Sequence, residues 1–564
     1  MAAAHALSIP EIVLEVAGHV QAEPVSEHRP ALARLARVNR LFHDHVVRLL
    51  WADLPNMDPL FKLLSNCVSL PTPVNAAGGN AHAAPQPLHS MRLVGPTPNE
   101  DIVRIREYAG LVRRLDFCRP TGIPFDESPN STSRGIRLEP HSLASLLLQT
   151  GLPLLPSLTK LTLPVTPPYN SDPTFLICPS LRDLTISFAD WHVDDLTENI
   201  GALFGGVFAQ NNRLTHLRVQ SESYMHHDPA DEHFTPWLSG EHDWVPDGHE
   251  PEADGASAQA FCDALAAVAM LNDLEVFSMA TMSTGVAGRD LVTALSALPR
   301  LRDCSFGINI AQDVLQDVLR TTPPGFPSLR ALTVSNVVRG RELELFDSPH
   351  LRELTIYHPD RLTDDWYRNI LETVGRRFPG LRRLTWILGR RNIFAEAPDF
   401  LAVTIQPLFV LDGLQELSID VQNRPVSDAD VVFLAGGLPR LSRLDLRFHM
   451  AKTGPSARAL LALARGCPSL RALYVGGVLF TEADEAQAGA VTFPFVGNRL
   501  QYFHIGDLRC EGEARAAMIV DLLFPFLDVR ECRRRAAKDR WRKGHPRCWT
   551  VSRRTMQTGN RFLD

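Results

Sequence analysis

Along most of the chain the apolar residues fall into one short phrase, L-x-x-L-x-φ, where φ is apolar. It reads clearly at Leu158-Leu161-Leu163, Leu181-Leu184-Ile186, Leu214-Leu217-Val219, Leu329-Leu332-Val334 and Leu351-Leu354-Ile356. It continues at Leu381-Leu384-Trp386, Leu414-Leu417-Ile419, Leu441-Leu444-Leu446 and Leu470-Leu473-Val475. Looser copies fill the gaps, at Val112-Leu115-Phe117, Leu274-Phe277-Met279, Leu301-Cys304-Phe306 and Leu500-Phe503-Ile505. The closing L-x-φ has period two, so its apolar residues share one side of a short strand and the residue between them faces the other side. Between phrases the period changes to that of a helix, as at 313–320, 364–378 and 456–466; in the first of these Val314, Leu315, Val318 and Leu319 share a face.

About thirteen such units, most roughly 22–33 residues apart, have the period of a leucine-rich repeat. Proline stands one or two residues before the first leucine in many of them (Pro156, Pro179, Pro299, Pro327, Pro349, Pro379, Pro439, Pro468), where it ends the preceding helix and starts an extended segment. One unit cannot bury its own apolar face, whereas stacked neighbours do so together. The predicted fold is therefore α/β: a leucine-rich-repeat solenoid over 111–527, with parallel strands on the concave side and helices on the convex side. The regular asparagine that builds a turn ladder in tighter repeats of this kind is missing, which leaves the turn chemistry open.

The remaining segments lack the phrase. Residues 7–54 predict a small all-α module. Its first helix carries Ile12, Val13, Val16 and Val20, with Ser8 and Glu11 forming a capping box. A polar break follows, then a second helix with Leu32, Leu35, Val38 and Phe42 on its stripe. So small a unit is marginal alone and should pack against a partner or against the first repeat. Residues 55–110 connect it to the repeats and include a flexible linker by composition at 71–87. An acidic, histidine-rich insertion occupies 221–255. Its His226, His227, His233, His242 and His249 match no standard metal spacing, so it reads as a solvated loop, with Trp237 and Trp244 available to a partner or to the solenoid. The tail, 528–564, is strongly basic over 529–554; a solvated cap, a nuclear import signal and a phosphate-binding patch all fit it.

Composition narrows the function. The chain has 564 residues, 45% of them hydrophobic and 21% charged, with a formal net charge of -7. That balance is globular and argues against a dedicated nucleic-acid binder. Nine dispersed cysteines without a CxxC read as reduced thiols. The first residues lack a basic start, which argues against a signal peptide, and no uncharged apolar run approaches the roughly 18–20 residues of a membrane span. Together these predict a soluble chain of the cytoplasm, the nucleus or both, in which the sequon at Asn130 has no bearing. No phosphate loop, dinucleotide fingerprint, HExxH or GxSxG is present, and Cys178 and Cys467 read as small core residues; the expectation is a protein that is not an enzyme and carries no metal or cofactor.

The N-terminal module resembles the F-box, in particular its fungal version. The resemblance rests on Ile9-Pro10-Glu11-Ile12, Leu35-Ala36-Arg37-Val38-Asn39-Arg40 and Leu49-Leu50-Trp51, about 45 residues in all; Gly466–Leu470 (GCPSL) is similar to repeats that accompany F-boxes. It implies a substrate-recognition adaptor of an SCF-type cullin–RING ubiquitin ligase. Ile9, Pro10, Ile12, Leu14, Leu35, Val38, Leu41, Leu50 and Trp51 would dock on a Skp-type adaptor and the repeats would hold a protein target. Ala17 and Gly18 stand where that family commonly has a bulky aliphatic residue, which predicts looser helix packing by about 1 kcal/mol for the glycine. The alternatives are a ligase-independent interaction scaffold whose helical start only caps the repeats, and a regulator of a small GTPase, which the F-box-like start disfavours.

The residue between the two apolar positions of each strand is the candidate contact residue. Over the middle repeats these are Thr162, Thr185, Arg218, Ser278, Ser305, Thr333, Thr355, Thr385 and Ser418, preceded by Asp116. Threonine suits a half-buried strand without any ligand. The series ends on Asp445, Tyr474 and His504, with Arg443 and Tyr502 beside them. Tyrosine and arginine are enriched in binding hot spots, so target recognition is expected there.

Overall fold

The computed structural model describes residues 9–21, 25–71, 89–116, 137–138, 146–151, 153–165, 176–188, 197–221, 265–280, 289–308, 312–321, 325–335, 337, 340–358, 364–388, 400–421, 425–448, 454–480, 498–510, 513–530, 532 and 534. Ser8, most of the insertion 221–255, the linker from residue 72 onward and the tail beyond Arg534 lie outside them. The chain divides into two compact units, Met1–Ser283 and Thr284–Asp564.

The first unit opens with α1 (Pro10–Gln21), α2 (Val25–Leu35) and α3 (Arg40–Ala52). Val13, Ala17, Leu32, Phe42 and Val46 form their core, with Val20, Leu35, Ala36, Leu41, Leu49 and Leu50 packed around it. The sequence pattern had suggested one helix carrying Leu32 to Phe42; the structure breaks it. Residues 36–38 make a turn, and Asn39 starts a new helix by accepting the Phe42 amide on its side-chain oxygen at 2.8 Å. The break turns Val38 outward, off the inner stripe. Ala17 is fully buried in the core, while the Cβ direction of Gly18 meets nothing within 4 Å. The glycine therefore lies outside the packing, and Ala17 takes the core position.

Helix α3 passes directly into β1 (Asp53–Leu54). A helical turn (Asp58–Phe61) leads to an antiparallel pair, β2 (Cys67–Pro71) and β3 (His89–Leu93). After the helix Asn99–Ala109 comes β4 (Arg114–Asp116), which pairs in parallel with β1, so the main sheet starts one rung before the first leucine phrase. The short β5 (Arg137–Leu138) joins β3. Next come β6 (Lys160–Val165), β7 (Asp183–Phe188), β8 (His216–Ser221) and β9 (Val276–Ala280), each parallel to its predecessor in the main sheet.

The second unit continues the repeat with β10 (Asp303–Gly307), β11 (Ala331–Ser335), β12 (Glu353–His358), β13 (Arg383–Leu388), β14 (Glu416–Val421), β15 (Arg443–Phe448), β16 (Ala472–Leu479) and β17 (Tyr502–Arg509). All pair in parallel and in order. The leucine phrase sets the register: Cys304, Leu332, Leu354, Leu384, Leu417, Leu444, Leu473 and Phe503 are cross-strand partners, and all are buried. Helices at Gln312–Thr321, Asp364–Arg377, Asp428–Gly437 and Ala457–Gly466 occur where the period changed. Fully buried Trp386 takes an aliphatic position and meets Tyr367 of the helix Asp364–Arg377 edge-on at 5.8 Å. Both units are stretches of leucine-rich-repeat solenoid.

A backbone device replaces the missing asparagine ladder. At the start of most described rungs one carbonyl accepts two successive amides of the next rung, as Arg302 does from Arg330 and Ala331 at 2.7 and 3.0 Å, and Arg330 from Arg352 and Glu353 at 2.8 and 3.0 Å. Asparagine serves locally instead: buried Asn211 donates to the carbonyls of Cys178 and Leu181, and buried Asn498 to those of Ala464 and Cys467. Cys178 and Cys467 are buried, as core residues should be.

Candidate interaction surfaces

Two surfaces gather the candidate residues. On the N-terminal module the nine adaptor-type residues separate into two sets. Leu35, Leu41 and Leu50 pack against the module's own core, and Trp51 leans on Tyr108 of the helix Asn99–Ala109 with ring centroids 4.5 Å apart. The others point elsewhere: Ile9 and Ile12 are half-buried, Pro10 is exposed, Leu14 is 46% exposed and Val38 is 56% exposed. Pro10 and Leu14, four residues apart, share one side of α1. The module thus closes its own core and still presents apolar side chains to solvent.

The second surface is the helix-free face of the sheet. In each strand, residues one, three and five face it when the leucines face the core. In the second unit this builds three rows. The first runs Asp303, Ala331, Glu353, Arg383, Glu416, Arg443, Ala472, Tyr502; the second Ser305, Thr333, Thr355, Thr385, Ser418, Asp445, Tyr474, His504. The third starts Gly307, Ser335, Tyr357, Ile387, Asp420, Arg447. It goes on with Gly476 and Gly506, the fifth residues of β16 and β17.

In the first row Arg383 bridges its neighbours, to Glu353 at 3.0 Å and to both oxygens of Glu416 at 2.9 and 3.1 Å. The first unit has a smaller counterpart, in which Lys160 and Arg218 meet Asp183 at 3.2 and 3.1 Å. From Ser305 to Ser418 the second row is half-buried hydroxyls. At its far end the expected cluster is assembled. Tyr474 and His504 stack at 4.5 Å with 10° between planes, and Tyr502 lies nearly parallel to His504 at 6.5 Å. Asp445, Tyr502 and His504 are more enclosed than an open strand position implies, at 5%, 9% and 3% exposure. Arg443 sits beside them, between Glu416 and Ala472.

The centre of this cluster is Arg447, which the strand phrase did not single out. Its Nε and Nη2 donate to the two carboxylate oxygens of Asp445 at 3.0 and 2.9 Å, and its guanidinium carbon lies 5.4 Å from the centroid of Tyr474. Burial alone would lower its pKa; the carboxylates of Asp445 and Asp420 outweigh that and hold it fully charged. Burial also pushes the Tyr357 phenol up, partly offset by Arg447. Extending the alternation one residue past L-x-φ would have found Tyr357, Asp420 and Arg447.

Among the described residues no group of three or more His, Cys, Asp or Glu side chains could hold a metal, and no helix is long and apolar enough to cross a membrane. The histidines at 226–249, Trp237 and Trp244 lie outside those residues.

No protein family and no curated protein matches the chain. Among solved structures it is similar to the leucine-rich repeat-containing protein LegL7 from Legionella pneumophila, with 15% identity over 47% of this chain and 86% of that one and a TM-score of 0.29. It is also similar to the complex of Rad7 and Elc1 in yeast, with 15% identity over 60% of this chain and 80% of that one and a TM-score of 0.29. A third, from Bacteroides fragilis, has 14% identity over 57% of this chain and 67% of that one, with a TM-score of 0.23. Overlays this loose carry no argument about function.

Proposed function

We propose that the chain is a substrate-recognition adaptor of an SCF-type cullin–RING ubiquitin ligase. In this reading the N-terminal module docks on a Skp-type adaptor and the open face of the repeats holds a protein target. The observation that carries it is the division of labour in the module: Val13, Ala17, Leu32, Phe42 and Val46 close the core, and Leu14 and Val38 are left outside. Their exposure leaves both apolar side chains available to a partner. The chain would contribute proximity, raising the effective concentration of a target at a ubiquitin-charged enzyme, and no chemistry of its own. Mixing the full-length chain with a Skp-type adaptor and recovering both in one complex is the test; no complex at micromolar concentrations would end the reading.

One observation favours a second reading, in which the module only caps a ligase-independent interaction scaffold. Helix α3 enters the first rung directly, with the Arg113 amide on the Ala52 carbonyl at 2.9 Å, and Trp51 is spent on Tyr108. A terminal repeat needs such a cover. Covering the sheet and docking an adaptor use different residues, so adaptor capture separates the readings.

A further inference from the structure

The guanidinium of Arg447 is held on two sides. One edge, Nε and Nη2, is fixed in the plane of the Asp445 carboxylate, and one face lies over Tyr474. The opposite edge, Nη1, donates to no acceptor among the described residues. A planar fork pinned in this way is a preorganised donor and loses little freedom on accepting a ligand oxygen.

The charge around it selects the kind of oxygen. Asp445 and Asp420 both act on Arg447, so two carboxyl groups face its one guanidinium. Arg383 is committed to Glu353 and Glu416, and Arg509 to Asp507 at 3.2 Å. A phosphate or carboxylate needs surplus positive charge and several donors at once, and here it would meet two carboxylates already in place. A neutral carbonyl can take the Nη1 donors without that repulsion. The surroundings suit a peptide backbone. Half-buried hydroxyls from Thr333 to Ser418 lead up to the site. Gly476 adds no side chain to this face; the place of a Cβ there is taken by the backbone of Phe448, whose carbonyl oxygen would lie 2.4 Å away.

We propose that Arg447 reads neutral carbonyls of an extended, uncharged target segment laid across β14–β17, and that this face selects against phosphorylated segments. The proposal rests on the receptor reading for its biological meaning, but adaptor capture and peptide capture are measured separately, so either can fail alone.

The test immobilises the full-length chain and probes it with a library of synthetic 15-residue peptides, each uncharged sequence paired with a phosphoserine version. Uncharged peptides should be retained, and phosphoserine in the bound stretch should weaken them about tenfold through like-charge repulsion. Arg447→Lys, which keeps the charge and loses the planar fork, should weaken the retained peptides about tenfold. Asp420→Asn removes one carboxylate beside Arg447 and should shrink the phosphoserine penalty, and thermal unfolding of each variant matched to the parent guards against a folding defect. Retention of phosphorylated or acidic peptides through Arg447, equal binding to Arg447→Lys, a penalty unmoved by Asp420→Asn, or no retained peptide would each overturn the proposal.

Discussion

The carboxylate of Asp428 accepts both the amide and the hydroxyl of Ser456, each at 2.6 Å. Asp428 begins one repeat helix and Ser456 caps the next, so a single side chain satisfies the exposed helix start of its neighbour. Two residues on, Asp430 closes a capping box with Ser427 and accepts the Ala402 amide of the preceding repeat at 2.9 Å. Three successive repeats are tied at their helix starts. Asp428→Ala should destabilise the protein by about 1–3 kcal/mol, the cost of stranding hydrogen-bond donors of this kind. Urea unfolding measures it; a change below about 0.5 kcal/mol would mean that the tie is decorative.

Asp58 gives a pH signature. Burial raises its carboxyl to about 6, an effect that Lys62 and its own backbone amide only partly offset. Its Oδ1 is buried without a hydrogen-bond partner among the described residues. Because the folded chain binds this proton more tightly than the unfolded chain, with its ordinary 3.8, the contribution is fully present below about pH 4 and is lost as pH rises through 6. Asp58→Asn cannot ionise. Its stability relative to the parent should be near even at pH 4 and move in its favour between pH 5 and 7. A pH-independent difference would refute this.

The Glu353–Arg383–Glu416 bridge should matter little to stability. Arg383 and Glu353 are each 48% exposed, and exposed pairs are worth about 0–1 kcal/mol. Arg383→Gln should shift unfolding by less than about 1 kcal/mol, with a smaller shift at high salt. A larger loss would show that the ladder organises the sheet.

Leu14→Asp combined with Val38→Asp should lower adaptor affinity at least about tenfold, the loss expected for apolar contacts at the centre of an interface. Both residues lie outside the module's core, so thermal unfolding should move by no more than about 1 °C for each few tenths of a kcal/mol. Isothermal titration of the purified pair gives the affinity, and an unchanged value would place the adaptor elsewhere.

The repeat was legible because its phrase states both periodicities at once. Leu354 and Ile356 point inward and Thr355 outward in the structure as in the pattern, and their cross-strand partners keep the same register. The helices over 364–377 and 457–466 also follow the pattern closely. Three features were less legible. The rung at Asp53–Leu54 has two residues and no phrase, and its strand character comes from pairing with Arg114–Leu115. The break after Leu35 hides inside a continuous helical period; Asn39 was its one local signal. At the candidate site, Asp445, Tyr474 and His504 were readable one strand at a time. The hold on Arg447 by residues of two strands exists only once β15 and β16 lie side by side.

The direct passage from helix α3 into strand β1 has a mechanical consequence. With Asp53 both ending the helix and pairing with Arg114, the chain has no swivel at this junction. Any protein that grips the outer side of the helices also grips the first rungs as a lever and sets their bearing, and a short glycine spacer inserted there would uncouple holding from aiming.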